Sequence, residues 1–135
     1  MLNWGGIDID QFLKEYWQKK PLLIRNAFPG FQSPIDPDDL AGLACEENVE
    51  SRIVIERDNG KPWQVQYGPF DEDAFQNLPT DSPWTLLVQG LDYWVPEVAD
   101  LLEHFRFIPN WRIDDIMAGY AVPGGSVGPH FDYYD

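Results

Sequence analysis

The run Pro123-Gly124-Gly125-Ser126-Val127-Gly128-Pro129 constrains this chain more than any other stretch. Prolines and glycines so closely spaced exclude a helix, because proline lacks an N–H and glycine gives up the most backbone freedom on ordering. They specify a turn in which the backbone can approach a neighbour closely. The residues on either side read as strands. Asp115 to Val122 enters the turn, and Gly128 to Asp132 begins a new strand after it. A phosphate-cradling loop is a poor reading, since no Gly-Lys-Ser/Thr follows and no helix is predicted beyond it.

The turn delivers His130 and Asp132, two residues apart. In a strand, residues i and i+2 point to the same face. An imidazole and a carboxylate placed so can grip one metal ion from one side. Two histidines and one carboxylate make the facial triad of non-heme Fe(II) oxygenases, and this pair would supply two of the three ligands. His104 falls in the last turn of a predicted helix, where it suits the negative helix end better than a metal. Asp114-Asp115 reads first as the cap of a strand, with a cationic substrate as the alternative. Cys45, the single cysteine, reads as a small core residue and excludes an intrachain disulfide or a CxxC zinc site.

Elsewhere helices and strands alternate irregularly. Asp8 can cap a helix from Ile9 to about Lys20, with Gln11 as its capping-box partner and Pro21 as its stop. Ile9, Phe12, Leu13, Tyr16 and Trp17 make one apolar face. Leu22-Leu23-Ile24 reads as a short buried strand. Asp36-Pro37 opens a second helix reaching about Cys45. Arg52–Arg57 and Trp63–Tyr67 are strand-like and flank Asn59-Gly60, a strong hairpin signal. Phe70 to Pro83 is acidic and broken by prolines, which suggests a surface loop. Trp84 to Gln89 reads as a buried strand. Pro96 to about Phe105 reads as a helix with Val98, Leu101, Leu102 and Phe105 on one side.

At 135 residues the chain makes at most one domain of ordinary size. Twenty-three acidic residues against nine basic give a net charge of −14. That argues against direct binding to nucleic-acid phosphates and suits a basic partner, since opposite fields steer encounter. No basic leader and no apolar run of membrane-spanning length are visible. The expectation is a cytoplasmic protein without a membrane contact.

Two stretches carry a family resemblance. Tyr16-Trp17-Gln18-Lys19-Lys20-Pro21-Leu22-Leu23-Ile24-Arg25 resembles the opening of cupin-like JmjC-domain oxygenases. Trp111 to Met117, followed by Val122 to Asp132, resembles the bacterial ribosomal oxygenases, which hydroxylate an arginine of a large-subunit ribosomal protein. The resemblance implies an α+β fold in which N-terminal helices and strands lead into a double-stranded β-helix, the cupin/JmjC jelly roll. It implies Fe(II) as the metal, 2-oxoglutarate as cosubstrate, and His130 and Asp132 as the first two metal ligands. The family's third ligand and its basic 2-oxoglutarate anchor come later in sequence, as does its dimerisation region. Residues 1–135 are therefore expected to be the N-terminal part of such a domain, cut after its first barrel strands and inactive alone, with a full-length homodimeric parent. Tyr120, Asp115 and Asp135 lie near the motif and are candidate contacts for the basic ribosomal substrate. Two alternatives stay open: the histidyl hydroxylase branch of the same superfamily, and a non-catalytic acidic cupin module that binds a basic protein.

Overall fold

A computed structural model describes residues 2–57 and 61–132. Two compact units emerge. The first comprises residues 1–33, 101–114 and 132–135, and the second residues 34–100 and 115–131.

The second unit is built on a four-stranded antiparallel sheet of order β2-β1-β3-β4. Its strands are β1 (Ser51–Ile55), β2 (Gln64–Tyr67), β3 (Trp84–Val88) and β4 (Ala118–Ala121). β1 and β3 are the central strands, and they are correspondingly the most buried. Ile53 pairs with Leu86 and Val54 with Thr85. The β1–β2 ladder runs from Arg52–Tyr67 to Ile55–Gln64. β1 and β2 thus pair antiparallel, as strands joined by a hairpin would; the Asn59-Gly60 turn lies outside the described residues.

Alternation sends Ile53, Ile55, Leu86 and Val88 to one face of the sheet. There they form the core with Leu40, Ala44, Val49, Phe70, Leu91 and Val98. Helix α2 (Pro37–Leu43) contributes Leu40. It starts as the sequence predicts: Pro37 takes the first turn, and Asp36 accepts the Asp39 N–H at 2.8 Å. The helix ends two residues earlier than expected. Cys45 sits beside it, half-buried, with its thiol on the Ala41 carbonyl at 3.4 Å. Burial, followed by the charges of Glu72, Asp71 and Glu46, pushes that thiol above its ordinary range.

Residues 70–83 correct the surface-loop expectation. They contain helix α3 (Glu72–Gln76), capped by Asp71, which accepts the Ala74 N–H at 2.9 Å. Phe70 is buried and Phe75 packs against it, with ring centroids 5.8 Å apart. The acids that suggested a solvated loop are a cap and a first turn, where carboxylates favour the positive helix end. The predicted helix 96–105 is also corrected. α4 (Pro96–Ala99) gives way to a 3-10 helix, Asp100–Phe105. The tighter winding moves side chains by a third of a turn per residue, so no single apolar stripe runs through Val98 to Phe105.

The first unit is held by aromatic rings. Helix α1 (Ile9–Glu15) is capped by Asp8, which accepts the Gln11 N–H at 2.7 Å. It stops five residues short of the prediction, at Glu15, and Gln18 beyond it adopts φ +57, so the chain does not stay helical to Lys20. Phe12 lies against Trp4, Trp17 and Phe107, at centroid distances of 5.1, 6.5 and 6.1 Å. The predicted apolar face is thus half-buried in this cluster rather than fully enclosed. Leu22-Leu23-Ile24 forms no strand: among the described residues no ladder includes it, and Leu23 is exposed. Leu22 and Ile24 still alternate inward, lining an apolar cavity of about 420 Å³ with Trp4, Phe12 and Phe28. Outside that cavity, Glu103 and Arg106 form an exposed ion pair at 2.5 Å, which holds the Glu103 carboxyl below its usual range.

Candidate metal centre

β4 leads into the glycine-rich turn, and the turn lies against one end of the sheet. Val54 and Thr85 are paired neighbours on the face opposite the core, and the turn is fastened on that side. The Thr85 hydroxyl donates to the Ser126 carbonyl at 3.3 Å. Gly125 N donates to the Val122 carbonyl at 2.7 Å. A Cβ on Gly125 would stand 2.5 Å from the Trp84 carbonyl oxygen and 3.0 Å from the Thr85 hydroxyl, so only glycine fits without displacement. Gly124 rests over Pro83, and Gly128 rests on the Trp63 ring. Gly128 has φ +72 and donates to the Ser126 hydroxyl at 2.9 Å. The need for glycine was visible in the sequence. Thr85 and Trp63 as its seat were not, because both read as ordinary strand residues.

His130 emerges from this turn exposed, with its Nδ1 2.9 Å from the Gly128 carbonyl. An Nδ1–H donated to that carbonyl leaves the lone pair on Nε2, the atom suited to a metal. A backbone carbonyl is a common partner for the second nitrogen of a metal-binding histidine. Asp132 is exposed as well. The strand predicted over Gly128–Asp132 is corrected: no ladder forms there among the described residues. A strand needs a ladder partner along its length, and none is formed there among the described residues. The same-face argument for His130 and Asp132 therefore has no strand beneath it. Among the described residues, no three His, Cys, Asp or Glu side chains converge as a metal site would require.

The substrate candidates fare differently. Asp115 has a structural task, its Oδ2 accepting the Gly90 N–H at 2.6 Å. It lies in the connection before β4, which begins three residues later than predicted; the neighbouring Ile116 N donates to Asp92. Tyr120 pairs with Leu86, on the core side of the sheet, with its ring 5.8 Å from that of Trp84. It therefore points away from the face that carries the turn. Asp135 lies outside the described residues. His104 stays with the aromatic cluster, edge-on to Phe28 at 5.2 Å. Among the described residues, no helix is long and apolar enough to cross a membrane.

Comparison with known proteins places these features. The JmjC domain family matches residues 100–135. The chain is 47% identical over 134 residues to the ribosomal protein uL16 3-hydroxylase of Escherichia coli, covering 99% of this chain and 33% of that protein. It is 47% identical over 124 residues to a probable ribosomal oxygenase of Haemophilus influenzae, covering 92% of this chain and 30% of that one. The solved structure of YcfD, a ribosomal oxygenase from E. coli in complex with cobalt and 2-oxoglutarate, superimposes with a TM-score of 0.85 at 44% identity. That match covers 94% of this chain and 34% of the other. The chain spans about a third of the length of the curated relatives it matches. The resemblance to the JmjC-domain ribosomal oxygenases thus holds in sequence and in backbone alike.

Proposed function

We propose that residues 1–135 are the leading part of a JmjC/cupin oxygenase domain that uses Fe(II) and 2-oxoglutarate to hydroxylate an arginine side chain of a large-subunit ribosomal protein. The observation that carries this reading is the 47% identity to a uL16 3-hydroxylase. The His130-x-Asp132 motif falls within the JmjC match. The donor set suits the metal in kind: an imidazole whose Nδ1 faces a backbone carbonyl and a carboxylate are two of the three ligands of the facial triad. Iron held there with 2-oxoglutarate and O₂ would supply the oxidising power for an unactivated C–H bond. The chain's own part is to hold the two donors at the end of a pinned turn and to present an acidic surface to a basic protein.

A segment exchange tests this reading. Residues 1–135 replace the matching third of the E. coli uL16 3-hydroxylase, and the chimera is incubated with Fe(II), 2-oxoglutarate, O₂ and an arginine-containing ribosomal peptide. We expect an added oxygen, about 16 Da by mass spectrometry, with hydrogen abstraction as the step the site controls. His130→Ala and Asp132→Asn should each abolish it while the chimera stays folded. Oxidation of a histidine peptide instead would favour the histidyl branch. Peptide binding with no oxidation and no 2-oxoglutarate turnover would favour the binding module.

A further inference from the structure

We infer that the surface formed by Lys14, Lys19, Lys20, Trp111 and Arg112 binds single-stranded nucleic acid, the cations taking its phosphates and Trp111 stacking on a base. The net charge of −14, which disfavours a phosphate ligand for the chain as a whole, is unevenly spread. The first compact unit carries six of the nine basic residues and seven of the twenty-three acidic ones, a net of −1, and the second carries the remaining −13. Within the first unit the cations gather. Lys14, Lys19 and Lys20 are exposed and fall within seven residues, against one acid, Glu15. The Lys19 ammonium donates to the Lys14 carbonyl. The backbone N–H groups of Lys19 and Lys20 both donate to the Tyr16 carbonyl, at 2.9 and 3.0 Å, so a tight turn keeps the three lysines on one short segment. No ion pair among the described residues includes any of them.

Aromatic rings join this patch to Arg112. Lys20 Nζ lies over the Tyr16 ring, 4.3 Å from its centroid. The Arg112 guanidinium lies over the ring of the adjacent Trp17 at 5.0 Å, and over Trp111 at 5.8 Å. Such contacts hold long cationic side chains at the surface without neutralising them. Trp111 and Arg112 belong to the 3-10 helix Asn110–Arg112, and Trp111 is 83% exposed. A nucleobase has a flat π-face suited to an exposed indole, and such stacking tolerates any base. A guanidinium also stacks, and it donates to phosphate in a fork. Cations interleaved with exposed rings are thus what a single strand needs. A bilayer fits less well. A strand follows a line of few side chains, whereas an anionic lipid surface also meets the exposed acids of the helix α1 segment, Asp8, Asp10 and Glu15. Screening over about 8 Å at physiological salt confines the repulsion of acids elsewhere in the chain.

The test uses the whole chain without iron or 2-oxoglutarate, so its outcome is independent of turnover. The chain is titrated into a fluorescein-labelled, single-stranded uridine RNA of about twelve nucleotides, within the usual footprint of such surfaces, and anisotropy is read. Binding should saturate. With three or four phosphate contacts, the affinity should fall roughly 20- to 50-fold between about 50 and 200 mM salt. Lys19→Gln combined with Lys20→Gln should flatten the log–log salt slope by about 1.4. Trp111→Ala should weaken binding about tenfold at an unchanged slope, and Trp111→Phe should keep most of the affinity. Arg57→Gln combined with Lys61→Gln, in the second unit, should leave binding within about twofold, since screened charges act locally. No binding at the lower salt, an unchanged slope in the lysine variant, or an equal loss in the second-unit variant would each overturn the assignment. So would full affinity in Trp111→Ala, which would reduce the surface to plain charge. Tighter binding to vesicles of phosphatidylserine and phosphatidylcholine than to the RNA would make it a membrane surface instead.

Discussion

At the scale of single residues, the turn before His130 shows what a missing side chain does. Gly125 sits where a Cβ would press on the Trp84 carbonyl, a backbone atom of a central strand that cannot move aside cheaply. Gly42, inside α2, has open space around it. The two positions should respond with opposite signs to the same substitution. Gly125→Ala should cost about 1–3 kcal/mol, the usual scale of overpacking. Gly42→Ala should gain about 0.5–1 kcal/mol, because alanine loses less backbone freedom in a helix. Urea unfolding of the two variants against the parent chain checks both, and a stabilised Gly125→Ala would mean that the turn does not seat on the sheet. A glycine-rich run already announced that some backbone comes close. Which glycine meets which oxygen depends on Trp84 and Thr85, some forty residues away in sequence.

At the scale of elements, caps were the most legible feature. Asp8 and Asp36 each stand before a helix and accept the N–H three residues on, as their positions predict. Asp71 does the same, although the acid-rich stretch around it read as a loop. Its cap is anchored by Phe70 and Phe75, so the helix should depend on both. Asp71→Ala should cost about 1 kcal/mol in thermal or urea unfolding, the usual value of an N-cap side chain, whereas Asp73→Ala, in the first turn but not at the cap, should cost less. Equal losses would show that the negative charge matters and the cap bond does not. Helix ends were the less legible part. α1 stops at Glu15, well before Pro21, and the helix at Pro96 tightens after Ala99. Local propensity is weak near a terminus, and tertiary packing chooses among nearly equal endings.

At the scale of the molecule, β2 and β4 are the outer strands of the sheet among the described residues, and residues 128–132 follow β4 with no strand assigned to them. Outside any ladder, these amides should exchange faster than those of β1 and β3, which should be the slowest in the second unit. Open edges recruit other chains, so protection of residues 128–132 that rises with protein concentration would show that a second copy pairs with them. Protection in dilute monomer would mean that the chain closes its own sheet. The sequence alone determined the local devices: the caps, the antiparallel pairing of the strands on either side of Asn59-Gly60, the buried central strands, the turn that needs glycine and the His130-x-Asp132 motif. Each depends on residues close in the chain, where sterics and hydrogen bonding leave few options. Tertiary structure decided the rest. It gave Asp115 to the Gly90 backbone, turned Tyr120 to the core side, and left Leu22–Ile24 without a ladder. Those outcomes depend on partners brought together from distant parts of the chain, and a strand or a site exists only where such a partner arrives.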